Sequence, residues 1–292
     1  MKRSIGAHLA DQLFGFERSA SRGDRIFLRV FELFIVGWTL QFAWTWFATL
    51  QRLEAVVLPL GLANYVDVSV FFAPTPALVL TVALTVSLAL GVFRKGRFAY
   101  AVALVLFHLA YVSRYSLGEI SHGSHFIGMA VLGLAIGTAA FHEHEEAVGK
   151  FSVGFAYFLY GIGYTSASLC KLIGSGIGWP KGDHFALWVG ERSVDVMSTF
   201  GTFELNVLQD FSLRFPILGT AALTFGLLAE IAGVLMWFRK LRMWVMTALI
   251  AMHVGVELSL NIYFGHNIYV LVLLAYPWGR WLDRFLPPRS DA

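Results

Sequence analysis

The chain has 292 residues, of which 57% are hydrophobic and only 14% charged, with a formal net charge of +3. A soluble globular domain averages about 45–50% apolar and about 25% charged residues, so this sequence has too little charge to cover a water-facing surface. Its mean hydropathy of +0.66 points the same way. These figures exclude a disordered chain, a disulfide-stapled scaffold and a nucleic-acid binder, and they predict an all-α integral membrane protein.

Residues 1–25 carry Lys2, Arg3, Arg18, Arg22 and Arg25 and lack the apolar core and cleavage site of a secretory signal, so a cytoplasmic N-terminal segment is expected. A helix that crosses the hydrocarbon layer needs about 20 mostly apolar residues. Eight segments approach that requirement within a transmembrane domain expected over 26–282, at 27–47, 77–93, 98–113, 125–141, 151–171, 215–238, 243–263 and 267–281. The third, fourth and eighth are short. Residues 283–292 are expected to form a cytoplasmic tail, and the whole reads as a polytopic bundle of about eight transmembrane helices.

Basic residues orient such a bundle. With both termini cytoplasmic, sixteen of the 22 Lys and Arg fall on the inner side, leaving Arg52, Arg114, Lys171, Lys181, Arg192 and Arg214 outside. The two long connections, 48–76 and 172–214, then lie on the outer face. Their apolar stretches at 185–189 and 203–211, broken by charges, predict amphipathic segments on the bilayer surface or capping the bundle.

Ionisable residues at membrane depth face a bundle interior, a partner or water. Between the third and fourth spans, His122 and His125 sit at the start of a helix, whose positive dipole end favours a neutral imidazole that accepts a proton or binds metal. Capping of the helix and contact with lipid headgroups are the alternatives. The fifth span carries Tyr157, Tyr160, Tyr164, Ser168 and Lys171 at steps of three and four, one face of a helix that ends in a glycine-rich turn with Trp179 and Gly182. Lys171 reads either as a snorkelling anchor or as an amine that desolvation keeps neutral and able to act as a base. In the sixth span, Glu230 must be protonated or paired. His253 and Glu257, one turn apart in the seventh, read as a hydrogen-bonded pair, or with His122 and His125 as metal ligands. Their spacing matches no metal signature, and no metal is assigned.

The stretch 160–172, YGIGYTSASLCKL, followed by Trp179 and Gly182, resembles the aromatic–small–Lys-Leu and Trp-x-x-Gly pattern of the HTTM family, the membrane domain shared with vitamin K-dependent gamma-carboxylase. Ser124–His125–Phe126 resembles that family's Asn-His segment, with Ser in place of Asn, and His253 with the 264–268 turn resembles its last helix pair. The resemblance spans roughly 22–277 in short pieces. It implies Lys171 as the base toward a reduced quinone such as vitamin K, His125 as the assisting catalytic group, and Tyr164, Trp179, Gly182 and His122 around the cosubstrate. It also implies a multi-pass protein of a bacterial inner or plasma membrane, with a secreted peptide or protein as further partner. Carboxylase-like and quinol-dependent chemistry both follow from it. No counterpart of the carboxylase's large extracytoplasmic portion is expected within these 292 residues. Short bacterial relatives include proteins similar to the factor that matures a sporulation-delaying peptide toxin, which implies a non-catalytic maturation or chaperone role as an alternative. Small DoxX-like proteins, linked to quinones, share a Gly/Ser-x-x-Lys-Leu helix and a mid-span Glu such as Glu230. A proton-coupled transporter built on Glu230, His253 and Glu257 is the remaining class.

Overall fold

The computed structural model describes residues 4–50, 59, 61–116 and 122–286, without the side chains of Leu50 and of 122–124. All regular structure among them is helical. Twelve α-helices follow one another: α1 (Ile5–Leu13), α2 (Arg22–Leu50), α3 (Pro74–Val92), α4 (Ala99–Tyr115), α5 (His122–Phe141), α6 (Glu145–Ser175), α7 (Gly182–Phe200), α8 (Val207–Arg214), α9 (Pro216–Ile231), α10 (Arg239–Leu260), α11 (Gly265–Ala275) and α12 (Trp278–Phe285). Four helical stretches are long and apolar enough to cross a membrane: Arg22–Thr49, Pro74–Val92, Pro216–Trp237 and Arg239–Leu260. Ala99–Tyr115, His125–Phe141 and Gly265–Ala275 are shorter apolar helices. Apolar side chains also remain outside, as Val79, Val82, Val86 and Leu90 do along one face of α3. Such a face suits lipid rather than water.

Two expected spans differ from what forms. The segment 267–281 is not one helix: α11 stops at Ala275 and α12 starts at Trp278. Pro277 has no N–H to continue the ladder, and it drives Tyr276 into extended backbone at φ −104, ψ 153. The segment 215–238 is α-helical only to Ile231 and tightens into a 3-10 helix over Ala232–Trp237. Two expected domain boundaries, at 25/26 and 282/283, fall inside α2 and α12, and 287–292 lie outside the described residues.

The chain forms two compact units, one of residues up to Leu13 with Tyr157–Tyr276, the other of Phe14–Ala156 with the residues from Pro277 on. The boundary runs through α6.

The second unit packs α2 to α5, the first half of α6, and α12. Ser21 caps α2, its Oγ accepting from the Asp24 N–H at 3.0 Å while the Asp24 carboxylate accepts from the Ser21 N–H at 3.3 Å. Gly23 and Gly279 let α12 reach that end of α2, since a Cβ on Gly23 would lie 2.1 Å from the Gly279 carbonyl oxygen. Farther along α2, Glu32 is 3% exposed and fully engaged. Its carboxylate accepts from Arg29 at 2.6 Å, from Arg94 at 2.5 and 2.9 Å, and from the Tyr100 hydroxyl at 2.5 Å. Arg94 occupies the α3–α4 turn at φ +55, and Gly91 leaves room for the Tyr100 ring, which a Cβ would meet at 2.7 Å. Glu146, in the first turn of α6, accepts from Lys150 at 2.6 Å and from the Ala20 N–H at 2.9 Å. The Lys150 contact chiefly, with the Ala20 N–H adding to it, holds the Glu146 carboxyl below the usual carboxylate range against burial that would raise it.

In the first unit, α7 lays Phe185 and Val189 against Leu223 of α9 and Leu260 of α10, with Trp179 and Trp188 packed alongside. Its other side leaves Leu187, Val194, Met197 and Phe200 exposed. Of the two expected amphipathic stretches, 185–189 lies in α7, whereas 203–211 is helical only from Val207, in α8. Helix α8 opens on a capping box between Asn206 and Gln209.

Candidate functional site

Glycine sets up the site. A Cβ on Gly161 of α6 would meet the Trp237 Nε1 at 2.5 Å, and one on Gly233 would meet the Tyr164 Cβ at 2.8 Å. Backbone thus meets backbone where α6 crosses the 3-10 segment after α9. Thr165 fastens the crossing, its Oγ1 accepting from the Val234 N–H at 2.9 Å.

This crossing brings Glu230 to Lys171. The ammonium donates to both carboxylate oxygens, at 2.6 and 2.5 Å. The Glu230 side chain is 9% exposed and that of Lys171 is 32% exposed. The Lys171 Nζ also lies 4.9 Å from the centre of the Trp179 ring, within cation–π range. Of the two sequence alternatives for Glu230, pairing is what forms, and the partner is Lys171.

Roughly two to four helical turns back along α6 from Lys171, the tyrosine stripe is buried and separately employed. The Tyr164 hydroxyl and the Nε2 of His253 are 2.8 Å apart. His253 is 5% exposed, its ring packs 4.9 Å from that of Phe264, and its Nδ1 has no hydrogen-bond partner among the described residues. The expected His253–Glu257 hydrogen bond is therefore replaced by one to Tyr164. Tyr157 donates to the Leu274 carbonyl at 2.8 Å beneath the Arg242 guanidinium, 3.5 Å from its ring centre, a packing role. Ser168 donates to the Thr165 carbonyl within its own helix at 2.7 Å.

Gly182 begins α7 against α9. Its N–H donates to the Thr220 Oγ1 at 2.9 Å, and a Cβ there would lie 2.4 Å from the Pro216 carbonyl oxygen. Its geometry is that of helix packing. Lys171, Tyr164, Trp179 and Gly182 all belong to the first unit.

His125 belongs to the second. It is exposed at the start of α5, with the Tyr111 hydroxyl 2.8 Å from its Nδ1 and the Tyr115 ring 5.7 Å away. His122 is the first residue of α5, and its side chain lies outside the described residues. Among the described residues, no three His, Cys, Asp or Glu gather as a metal site.

Protein families, characterised proteins and solved structures yield no match to this chain.

Sequence reasoning passed over Glu32, although a carboxylate inside the first expected span is itself the signal of a buried partner. It also passed over the aromatic groups around Arg114. The guanidinium stands 5.1 Å from the Phe42 ring and 5.9 Å from the Trp46 ring. No spacing in the sequence joins residues so far apart along the chain.

Proposed function

We propose that the chain is a multi-pass membrane enzyme of the HTTM type, with about eight spans and both termini cytoplasmic, that deprotonates a lipophilic quinol-like cosubstrate at Lys171 on its outer side. The observation that carries this reading is the Lys171–Glu230 pair, a third exposed at its lysine end and next to the face of Trp179. A proton shift within the pair leaves an amine and a carboxylic acid. The amine takes the proton of the cosubstrate hydroxyl, so that the product is a quinolate beside the Lys171 ammonium, with the extra proton on Glu230. The cation is thus retained where negative charge develops, which is the electrostatic requirement of such a step. Trp179 offers an aromatic surface for the ring of the cosubstrate. The resemblance of 160–172 to the HTTM pattern supports the same assignment, and it gives His125 an assisting role and a secreted peptide as acceptor.

Anaerobic titration of the detergent-solubilised protein with a reduced naphthoquinone tests the step, with the quinolate followed by its absorbance. Wild type should produce quinolate near neutral pH, and Lys171→Met should lower the yield at least about tenfold, because the anion loses a charge-assisted hydrogen bond worth about 1.5–3 kcal/mol. Equal yields from the two proteins, both folded, would remove the reading. His125→Ala in the same titration tests the assisting role. Proton flux into liposomes that needs Glu230 and His253 but no quinol would assign the residues to a transporter instead.

A further inference from the structure

We infer that the second unit holds a carboxylate-binding site, in which the Trp46 indole N–H donates to a carboxylate oxygen and Arg114 supplies the neighbouring positive charge. Trp46 is 3% exposed and its Nε1 has no hydrogen-bond partner among the described residues. Buried indole donors are ordinarily satisfied, and other indoles of this chain are. Trp44, 41% exposed, still donates to Thr85 at 3.2 Å, and Trp237 donates to the Phe158 carbonyl at 3.2 Å. The acceptor that Trp46 lacks is therefore one that a ligand brings.

The surroundings define that ligand. Phe42 and Trp46 stand one turn apart on α2, and the Arg114 guanidinium from the end of α4 lies 5.1 Å from the first ring and 5.9 Å from the second. The Arg114 charge beside both rings favours an anion as the group that accepts from the indole. Arginine carries five donors in a planar fork that matches a carboxylate, so Arg114 can serve a ligand alongside its other contacts. A further aromatic ring stands nearby, Phe107 packing 5.1 Å from Phe42. An anionic head on an apolar body fits this environment. A fatty acid and a small soluble carboxylate share the recognised group.

Equilibrium binding of radiolabelled laurate, acetate and dodecanol to the full chain in non-ionic detergent tests the inference. Laurate should bind at least about tenfold more tightly than dodecanol. Trp46→Phe should weaken laurate about fivefold and Arg114→Gln about tenfold or more, the scales of one neutral and one charge-assisted hydrogen bond. Acetate binding with the same dependence on both residues would assign the site to soluble carboxylates, and its absence would assign it to fatty acids. Trp46→Phe keeps the aromatic ring and deletes only an unsatisfied donor, so its thermal unfolding without ligand should match or exceed that of wild type. Should Arg114→Gln fail to fold, Trp46→Phe decides alone. Unchanged laurate binding in Trp46→Phe, equal affinity for laurate and dodecanol, or no binding of either carboxylate to wild type would overturn the inference.

Discussion

Replacing Lys171 by methionine keeps the aliphatic stem and removes the ammonium that two carboxylate oxygens share at 2.6 and 2.5 Å. Glu230 is then left 9% exposed without its cation. Breaking a buried pair in this way costs about 3–5 kcal/mol. The lysine end is 32% exposed, and water there screens part of the attraction, which puts Lys171→Met near the lower limit, at about 3 kcal/mol. Glu230→Gln should cost less, roughly 1–2 kcal/mol, because the stranded ammonium keeps its water and the face of Trp179. The double variant Lys171→Met/Glu230→Gln removes both charges and should cost well under the sum of the singles, with a coupling of about 2 kcal/mol. Thermal unfolding in detergent micelles, run as a double-mutant cycle, measures each value. Additive single effects, or a Glu230→Gln cost equal to that of Lys171→Met, would refute the claim that burial at the glutamate end controls the energetics.

Two further outcomes follow from local geometry. Gly182→Ala places a Cβ 2.4 Å from the Pro216 backbone oxygen; backbone cannot swing aside as a flexible side chain does, and a loss of about 2–3 kcal/mol is expected by thermal unfolding, whereas a shift below about 0.5 kcal/mol would show that α7 and α9 move apart freely. The Glu146 carboxyl is held below its ordinary range by Lys150 first and by the Ala20 N–H as well, with burial opposing them. Its contribution is therefore complete above the unfolded-state value and is lost as pH falls through the lower folded-state value. Lys150→Met should flatten the acid limb of the stability–pH curve by under about 1 kcal/mol, and an unchanged limb would refute the pairing.

Much of the first unit was legible in the sequence. The steps of three and four from Tyr157 to Lys171 are a local property of one helix, and α6 presents them as expected. The partners were less accessible. Glu230 lies 59 positions from Lys171, and what joins them is the fit of Gly161 against Gly233, a property of two surfaces together. His253 was assigned to Glu257 because they are one turn apart on one helix. Tyr164 takes that hydrogen bond across a helix interface, which periodicity along one helix does not encode. The break at Pro277 was legible, since a proline with no N–H interrupts an apolar run whatever its hydropathy. Hydropathy alone joined 267–281 into one span. In the second unit, His125 stood out by residue type, but Trp46 did not. A buried indole is unremarkable in a sequence, and its missing acceptor becomes visible only when every neighbour has been placed.

The Glu32 cluster changes what the basic residues near it signify. Arg29 and Arg94 count fully toward a charge bias between the two ends of the spans, yet both lie within 3 Å of one carboxylate. Three formal charges there sum to a single positive one, so the field that reaches lipid headgroups comes mainly from exposed neighbours such as Lys95 and Arg97. Arg94 acts instead as a latch between α2 and the α3–α4 turn. Moving it to reverse the insertion of the chain would unfasten two helices at once, whereas Lys95 can be moved without touching the latch. A topology experiment on this protein must therefore choose its cations by what they hold.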